Sequence, residues 1–474
     1  MKHTKIVATL GPVSGNKEMI FALAEAGVNV FRLNFSHGDP AWRHAAIESI
    51  RETSKELVRP IGILADLQGP RIRTEVNFPI DIKRGFSVKL CELGRRDQFP
   101  AEEAIVALDT PGVFEALEIG HRILIEDGLI GLTVTRLDGD SLEAQAENDG
   151  TIKNRKGVIL PDTPLTLPIL SEKDKDDLAF ILAEGIEYLG LSFVGSVADI
   201  ESVKEEMIRI VGAEVPKPLI CSKIERKVAL EHLGDIIRAS DAVMVARGDL
   251  GIEMPESEIA ILQKQIIAES LREMRPVIVA TQMMQSMVNN PRPTRAEVSD
   301  VSNAVIDHAD AVMLSEETAA GKYPVETVQT MREIIEKTEE SPFDDLYEAL
   351  ELNLKGEYAV MVRSVYELSQ SFKTKAVLVL SMSGFTARLL SHFRPDAHLL
   401  VATNSAKTWR ELSLVWGVDA YLFEGDETFD TLIERFIDDL KKKEVLVSDD
   451  QVAIFYGRTP EQSTMKLVGI RTIR

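Results

Sequence analysis

The amino-acid sequence predicts an α/β protein: a (β/α)8 TIM barrel with an inserted small β-barrel lid domain, followed by a C-terminal open α/β domain. Eight short, apolar, β-branched segments occur before residue 320, and most of them precede a segment of helical periodicity. Strands that are apolar on both faces are typical of buried parallel sheets. Eight β-then-α units therefore favour a closed barrel, and one unusually long gap between them indicates an insertion.

The predicted barrel elements follow one another along the chain and assign residues 1–70 and 168–340 to the barrel. The eight predicted strands are 4–10, 29–35, 61–67, 188–194, 219–224, 242–246, 276–281 and 311–315. The predicted helices between and after them include 41–57, 172–184, 198–210, 256–273 and 325–338.

The long gap lies between the third and fourth predicted strands and spans about 120 residues, far more than a barrel connection needs. Most of it, residues 71–167, is rich in strand and turn signals such as Asp127-Gly128 and Asn148-Asp149-Gly150. This segment is predicted to be a small all-β domain inserted at the carboxyl end of the third strand. Barrel active sites lie at that end, so the insertion can act as a lid.

A second alternation of strands and helices begins near residue 341. Strand-like segments occur at 376–381, 398–403, 420–423, 452–456 and 467–473. They predict that residues 341–474 form a separate C-terminal open α/β domain.

Composition limits the possible partners of the chain. Its 474 residues include 76 acidic and 54 basic side chains, and the formal net charge of -22 disfavours nucleic acid and anionic lipid as partners. Two cysteines provide no disulfide framework and fit a reducing compartment, so a cytoplasmic location is expected. The sequence contains no run of 18 or more apolar residues, so no membrane span is predicted. Clustered Arg and Lys residues can still form a positive cleft for an anionic substrate.

Polar residues occur at the ends of several predicted barrel strands, beginning with the second. Arg32, Asn34 and Ser36 alternate, so they point to one side of the strand. One cation and two oxygen-bearing side chains suit an anion together with a cation. A buried Arg paired with a carboxylate would explain Arg32 equally well.

Asp66 closes the third predicted strand and is followed by the turn Gly69-Pro70, then by Arg71 and Arg73. This segment could bind a phosphate. Internal ion pairs are the slightly favoured interpretation when the segment is considered alone.

Lys223 and Glu225 share one face at the end of the fifth strand. A lysine there can neutralise a transferring phosphoryl group while the carboxylate holds a divalent metal. After the next strand, Gly248 and Gly251 allow a sharp turn, and Asp249 could be a second metal carboxylate in a hard site for Mg²⁺ or Mn²⁺. A buried Lys–Glu pair and an ordinary Gly-Asp turn remain the alternatives.

The seventh strand ends at Thr281, whose hydroxyl could relay a proton. Shortly afterwards, Thr294 and Glu297 form a capping-box pattern at a helix start. For Arg292 and Arg295, contacts with solvent or with another subunit are favoured.

Together these segments resemble those of the pyruvate kinase family. The resemblance rests on residues 4–12, 32–38, 222–225, 244–251 and 291–297, which occur in the family's order and spacing. It extends from about residue 4 to residue 335 and is weaker through the inserted and C-terminal domains. It implies phosphoryl transfer from phosphoenolpyruvate to ADP in glycolysis, giving pyruvate and ATP. It also implies a mobile lid, a regulatory C-terminal domain and a homotetramer.

The resemblance implies roles for the residues that handle the substrate. Lys223 matches the lysine that stabilises the transferring phosphoryl group, and Glu225 and Asp249 match the ligands of the divalent metal, Mg²⁺ or Mn²⁺. Gly248, Asp249 and Thr281 match positions that contact the substrate carboxylate. Thr281 is also implicated in proton delivery to the enolate.

The resemblance also implies roles at the nucleotide. Arg32 and Arg73 match arginines at the phosphate and the nucleotide. Asn34 and His37 border the ATP site, and Lys156 resembles a lid lysine that reaches the nucleotide phosphates.

Asn34, Ser36 and Asp66 match the family's monovalent-cation site, but the neighbouring residues differ from those of potassium-dependent members. Leu67-Gln68 replaces a Thr-Lys pair, and Arg71 stands where those members have Glu. Potassium-independent members resemble this pattern, usually with Lys in place of Arg71. Our hypothesis is that Arg71 supplies the charge of K⁺, so that K⁺ can bind but is not required.

The C-terminal domain departs from the family in its effector region. Ser381, Ser383, Gly384 and Thr386 resemble an effector-phosphate loop, but Phe385 replaces a customary Arg. The last loop, residues 457–463, lacks the usual later glycines. A sugar monophosphate, a nucleotide or no effector is therefore expected rather than fructose 1,6-bisphosphate. In the barrel, Glu316 occupies a position where the family usually has Gly, and the sequence offers no reason for it.

Two other functions remain as alternatives. One is another metal-dependent barrel enzyme that handles phosphoenolpyruvate or pyruvate, which would not need the insertion with Lys156. The other is a non-catalytic paralogue that binds metabolites, against which the presence of Lys223, Glu225, Asp249 and Thr281 argues.

Overall fold

The computed structural model describes residues 2–101, 103–139, 141–163, 167–343, 357–425, 428–456 and 467–474. These residues form a closed barrel of eight parallel strands, a second, smaller closed barrel and a five-stranded sheet. The predicted fold class is confirmed. The residue boundaries between the three parts remain predictions.

The first part of the large barrel contains three strands and two helices, each helix with a clear start signal. The strands are β1 (Lys5–Leu10), β2 (Val30–Asn34) and β3 (Gly62–Asp66). The helices are α1 (Lys17–Ala26) and α2 (Pro40–Glu56). The side chains of Asn16 and Asp39 cap them by accepting hydrogen bonds from main-chain N–H groups of the first turns.

The inserted segment forms its own barrel around an apolar core that includes Val88, Leu90, Leu132 and Leu142. The strands of this segment are β4 (Ile72–Glu75), β5 (Ile80–Ile82), β6 (Ser87–Glu92), β7 (Ile105–Leu108), β8 (Arg122–Ile125), β9 (Ile130–Leu137), β10 (Ser141–Ala146), β11 (Gly150–Ile152) and β12 (Gly157–Ile159). Strands β5 and β11 pair in a separate two-stranded sheet, and the other strands close the small barrel. It also contains a 3-10 helix, Leu93–Gln98, and the short helix α3 (Val113–Ala116). We call this segment the lid.

The chain then completes the large barrel with five further strands. They are β13 (Tyr188–Leu191), β14 (Leu219–Ile224), β15 (Ala242–Ala246), β16 (Val277–Ala280) and β17 (Ala311–Leu314). The helices are α4 (Glu172–Glu184), α5 (Val197–Val211), α6 (Lys227–Glu231), α7 (Leu233–Ala239), α8 (Arg247–Glu253), α9 (Glu256–Arg272), α10 (Arg295–Ile306), α11 (Glu316–Ala319) and α12 (Pro324–Glu339), with a 3-10 helix at Gln285–Val288. Parallel pairing of β1 with both β17 and β2 closes the barrel.

The fourth barrel strand is shorter than the predicted segment 188–194. It ends at Leu191, and Phe193 has a φ of 62°, which is incompatible with a continuing strand. The backbone turns there, and this turn brings the Phe193 N–H to the carboxylate of Glu225, which directly follows β14.

The C-terminal sheet has the order β20-β19-β18-β21-β22, and its last strand is antiparallel. The strands are β18 (Ala376–Leu380), β19 (His398–Thr403), β20 (Val418–Leu422), β21 (Gln451–Tyr456) and β22 (Leu467–Thr472). The helices are α13 (Glu357–Phe372), α14 (Phe385–Ser391), α15 (Ala406–Glu411) and α16 (Phe429–Lys442), with a 3-10 helix at Leu412–Leu414.

The C-terminal domain packs against the amino ends of the barrel strands. Leu414 joins the apolar cluster inside the barrel, beside Val7 and Leu64. The fully buried Glu187 accepts a hydrogen bond of 2.6 Å from Nε of Arg410 and pairs with Arg51 at 2.9 Å. This end of the barrel is therefore closed, and the carboxyl ends of the strands form the open mouth. Among the described helices, none has both the length and the apolarity needed to cross a membrane.

We predict that Glu187→Ala destabilises the protein strongly, because it leaves two guanidinium groups partly buried without their shared carboxylate. Loss of one partner of a buried ion pair typically costs about 3 kcal/mol or more. The midpoint of urea unfolding should fall markedly. Glu434→Ala, which removes an exposed ion pair with Arg471, is the control and should change it little. Equal midpoints for the two variants would contradict the prediction.

Candidate active site

Charged side chains from three strands, β2, β3 and β14, meet at the mouth of the barrel. Nε of Arg32, on β2, donates to Asp66 Oδ2, at the end of β3, over 2.7 Å. Nζ of Lys223, on β14, lies 3.5 Å from Asp66 Oδ1 and 3.1 Å from Glu225 Oε2. The predicted residues from these strand ends are thus in contact, because the carboxyl ends of parallel strands converge in a closed barrel.

Lys223 is held by three oxygen-bearing side chains. Besides the two carboxylates, Nζ donates a 2.7 Å hydrogen bond to Ser192 Oγ. Burial by itself would lower the pKa of Lys223, but the charges of Asp66 and Glu225, with a smaller contribution from Asp249, raise it above its ordinary value. The lysine is therefore a fixed positive charge.

Asp66 is the buried anion that joins both cations. Burial by itself would raise its pKa, but the charges of Lys223 and Arg32 and their hydrogen bonds lower that pKa below its ordinary value. Arg32 also donates to Thr9 Oγ1 over 3.1 Å. Asp66 thus aligns one guanidinium and one ammonium side by side.

Glu225 has one satisfied and one unsatisfied oxygen. Oε1 accepts a 2.6 Å hydrogen bond from the N–H of Phe193. Oε2 is buried, and although Lys223 Nζ is nearby, it accepts no hydrogen bond from any described residue. Burial raises the pKa of Glu225 to about 7, and the like charge of Asp249 contributes in the same direction.

These features fit a divalent cation. Among the described residues, no cluster of three His, Cys, Asp or Glu side chains could hold a metal alone. Glu225 and Asp249 supply hard carboxylate oxygens, and the free Oε2 of Glu225 is a buried acceptor without a donor. Mg²⁺ commonly takes one or two protein carboxylates and completes its shell with water and substrate oxygens. The two carboxylates therefore suit Mg²⁺ or Mn²⁺ bound partly by water and substrate, and they do not suit a metal that is held by protein ligands alone.

A second group of residues lies at the ends of β15 and β16. The N–H of Gly248 donates to Thr281 Oγ1 over 2.8 Å. Thr281 has a φ of 70° and Gln282 a φ of 56°, so both adopt the left-handed conformation. For a β-branched residue this costs about 1–3 kcal/mol and persists only where contacts enforce it. Because the N–H of Gly248 is already engaged by Thr281, its predicted contact with a substrate carboxylate is not evident.

The predicted nucleotide residues are not all brought to this cluster. Asn34 Oδ1 accepts a hydrogen bond from the N–H of Ser36. Ser36 is half-buried, and His37 is exposed. Arg73 is half-buried on the lid, where its N–H donates to Asp109.

Lys156 also lies on the lid and is directed to another lid residue. Its Nζ pairs with Glu126 Oε1 at 2.5 Å, and this hydrogen bond lowers the pKa of Glu126 despite the opposing effect of burial.

Arg71 is exposed, and within the described residues its side chain makes no hydrogen bond or ion pair. It therefore makes no observed contact with Asn34, Ser36 or Asp66. Its proposed role in place of K⁺ stays a prediction.

The C-terminal loop that resembles an effector site turns at Gly384, whose φ is 72°. Ser381 and Thr386 are mostly buried, and the carbonyl of Ser383 accepts a hydrogen bond from Arg388. Residues 457–463, the other loop considered from the sequence, lie outside the described residues.

Glu316 is exposed and accepts a 2.9 Å hydrogen bond from Gln285 Nε2. Its neighbour Glu317 is fully buried and accepts hydrogen bonds from the N–H groups of Met284 and Ser315. The adjacent carboxylates thus have different surroundings, and Glu316 does not touch the charged cluster.

Two residues that contact the predicted site residues were not identified from the sequence. Ser192 follows β13 directly and contacts Lys223, and Arg247 binds the loop of Thr281. A polar residue one position after a buried barrel strand was the signal for Ser192, the same signal that identified the other strand ends.

Comparison with known proteins agrees with this arrangement. The family profile described as "Pyruvate kinase, barrel domain" matches residues 1–328, and the one described as "Pyruvate kinase, alpha/beta domain" matches residues 359–468. The chain belongs to the pyruvate kinase family.

Individual pyruvate kinases are similar along nearly the whole chain. The protein from Bacillus licheniformis is 37% identical over 483 residues, which cover 100% of this chain and 81% of that protein. Pyruvate kinase 2 of Synechocystis is 40% identical over 430 residues, covering 89% of this chain and 71% of the relative. A crystal structure of a pyruvate kinase from Cryptosporidium parvum matches with a TM-score of 0.92 and 30% identity, covering 99% of this chain and 96% of that one.

The predicted family and activity are therefore confirmed. This member of the pyruvate kinase family is a transferase. The alternative that the chain is another type of barrel enzyme is therefore excluded. Glycolysis follows as the metabolic context of the family.

We predict that Ser192→Ala slows turnover while the fold is retained, because Lys223 loses the hydroxyl that fixes its Nζ. The kcat should fall about tenfold, equivalent to about 1.4 kcal/mol. Steady-state pyruvate release measures it. Ser240→Ala is the matched control, since Ser240 is equally buried but precedes β15 at the closed end of the barrel. A normal kcat for Ser192→Ala, or an equal loss in the control, would contradict the prediction.

Proposed function

We propose that the charged cluster at the barrel mouth carries out the family reaction, in which the phosphoryl group of phosphoenolpyruvate passes to ADP and yields ATP and pyruvate. The observation that carries this proposal is the buried Lys223, held by Ser192, Asp66 and Glu225 next to Arg32. Fixed cations that need no reorganisation are suited to the charge of a transferring phosphoryl group.

Each residue receives a role in this reaction. Arg32 and Lys223 bind the phosphate oxygens of phosphoenolpyruvate, and Lys223 stays beside the group as it moves. An oxygen of the ADP β-phosphate forms a bond to phosphorus while the bond from phosphorus to the enol oxygen breaks. Thr281 then supplies a proton to the methylene carbon of the enolate. Asp249 contacts the substrate carboxylate through its main-chain N–H, and Gly248 lines the same position while its own N–H stays on Thr281 Oγ1.

Glu225 and Asp249 are the residues that would hold Mg²⁺ or Mn²⁺. When bound, the cation offsets negative charge on the phosphoryl and enolate oxygens. The unpartnered Oε2 of Glu225 supports this assignment.

The nucleotide site combines Asn34 and His37 of the barrel with Arg73 and Lys156 of the lid. Because Lys156 pairs with Glu126, this role requires that the ammonium exchange Glu126 for a nucleotide phosphate. Movement of the lid accompanies that exchange and excludes water from the phosphoryl group.

We further propose that the enzyme does not require K⁺. The support is charge: the sequence places Arg71 five residues after Asp66, where its guanidinium can approach the site formed by Asn34, Ser36 and Asp66. This requires the exposed side chain to turn toward the barrel mouth.

The remaining assignments are also proposals. They comprise a cytoplasmic homotetramer with domain boundaries at residues 70/71, 167/168 and 340/341, and an effector-phosphate loop formed by Ser381, Ser383, Gly384 and Thr386. The exposed Phe385 disfavours a bisphosphorylated sugar, because it provides no cation for a second phosphate.

We predict that Lys223→Met still folds, with a lower free energy of unfolding because Asp66 and Glu225 lose their shared cation. Its kcat should fall by at least about 10²–10³-fold, because one preorganised electrostatic group is worth this much in such a site. Pyruvate release from phosphoenolpyruvate, ADP and Mg²⁺, coupled to lactate dehydrogenase, measures the rate.

Lys5→Met is the matched control for this variant. Lys5 is also buried, but its Nζ donates to the carbonyl of Val418 at the closed end of the barrel. Its kcat should stay near that of the unmodified enzyme. Turnover of Lys223→Met at the unmodified rate would exclude the assigned role.

We predict that replacing K⁺ by tetramethylammonium at constant ionic strength leaves the rate nearly unchanged. Arg71→Glu should make the enzyme depend on K⁺, because the substitution removes the cationic replacement and adds an anion. Arg84→Glu reverses the charge of another exposed lid arginine and should not create this dependence. Strong stimulation of the unmodified enzyme by K⁺ would refute the proposal.

A further inference from the structure

Arg247 is a buried arginine whose contacts join three elements around the loop of Thr281. Its side chain is only 9% exposed, and Nη1 lies 2.7 Å from Asp300 Oδ1 on α10. Nη1 also donates to Gln263 of α9 over 3.2 Å, and Nη2 donates to the carbonyl oxygen of Thr281 over 2.6 Å. Nε makes a longer contact of 3.4 Å with the carbonyl of Ala280.

Thr281 is therefore held at two points by neighbouring residues of one segment. The Arg247 guanidinium fixes its carbonyl, and the N–H of Gly248 fixes its hydroxyl oxygen. A hydroxyl has one proton to donate. Because Oγ1 already accepts from Gly248, that proton is directed to another acceptor, which in the complex can be the substrate.

The backbone explains why such an anchor is needed. Thr281 and Gln282 both have positive φ, and a β-branched residue leaves this conformation unless contacts hold it. Arg247 provides the charged part of those contacts, and Asp300 balances its charge. The planar guanidinium reaches the carboxylate and the carbonyl at once, which a single ammonium cannot do.

We propose that Arg247 is a positioning residue: anchored by Asp300, it holds Thr281 in the left-handed conformation that aims its hydroxyl at the enolate. The proposal rests on the role of Thr281 in the proposed function. In the step concerned, the Thr281 O–H proton passes to the methylene carbon of the enolate. The C=C electron pair becomes the new C–H bond, the enolate oxygen becomes the ketone, and the hydroxyl regains a proton from water. Arg247 affects this step and not the preceding phosphoryl transfer.

The test is a double-mutant cycle of Arg247→Lys and Thr281→Ala, read by kcat and by KM for phosphoenolpyruvate. Arg247→Lys keeps the positive charge near Asp300 but loses the planar guanidinium that reaches both Asp300 and the carbonyl of Thr281. Its kcat should fall by about 10–10²-fold, the range for a misplaced proton donor, while KM changes little. Combined with Thr281→Ala, it should cause almost no further loss, because residues that act through one group are not additive.

Two further readouts separate positioning from general destabilisation. In Arg247→Lys, the first turnover should form ATP at the unmodified rate, while the solvent deuterium isotope effect on kcat increases. Asp300→Asn, which keeps Arg247 but weakens its anchor, should show a smaller change in the same direction. It also serves as the test if Arg247→Lys does not fold. Arg59→Lys is the control, since Arg59 donates to the carbonyls of Ala24 and Val28 at the other end of the barrel.

The outcomes distinguish this proposal from the proposed function. Additive losses in the cycle, a slowed first ATP turnover or an unchanged kcat of Arg247→Lys would overturn the role of Arg247. If Thr281→Ala alone keeps the full kcat, the proton-donor role of Thr281 is wrong, and the inference fails with it. Normal turnover of Lys223→Met would instead refute the proposed phosphoryl-transfer site, whatever the cycle shows.

Discussion

The buried carboxylate of Asp66 is the constraint on which the mouth of the barrel depends. It joins Arg32 to Lys223, and removing such ions from water costs several kcal/mol each unless opposite charges and hydrogen bonds compensate. The three residues come from three strands, so the compensation exists only when β2, β3 and β14 keep their places in the closed barrel. Fold and charge arrangement therefore stabilise each other. The result is a pair of cations held in fixed positions at the barrel mouth.

The two ends of the barrel differ: one is closed by the C-terminal domain, and the other is open and faces the lid. At the closed end, Leu414 fills the interior, and Glu187 connects the C-terminal domain to the strands through Arg410. At the open end, the lid residue Lys156 pairs with Glu126, which also lies on the lid. The lid residue Gly128 lies close to Ile252 on α8, because a Cβ atom added to this glycine would be 3.4 Å from the Ile252 side chain. Helix α8 begins with Arg247 and Gly248, which hold Thr281. The lid therefore lies next to the segment that contacts Thr281, the proposed proton donor.

Much of the fold was predictable, because the buried parallel strands are apolar on both faces and recur before helical segments. The strands 219–224 and 242–246 were predicted to the residue. The fourth strand was predicted too long, since its apolar segment continues into Phe193, whose positive φ arises only where the chain turns toward Glu225. Single residues at strand ends indicated Arg32, Asp66, Lys223 and Glu225. The same signal at Ser192 was missed, because one serine after a strand is common.

The sequence alone predicts the family, the class of barrel and the residue types available at each strand end, because these follow from the order and spacing of residues along the chain. Which of those side chains touch depends on the tertiary structure. It placed Lys223 between Asp66 and Glu225, directed Lys156 to Glu126, and engaged the N–H of Gly248 with Thr281. It also placed the Arg247 guanidinium in hydrogen-bond contact with the carbonyl of Thr281. The physical reason is that charges and hydrogen-bond donors select partners by distance in space, and the barrel brings together residues that lie far apart in the chain.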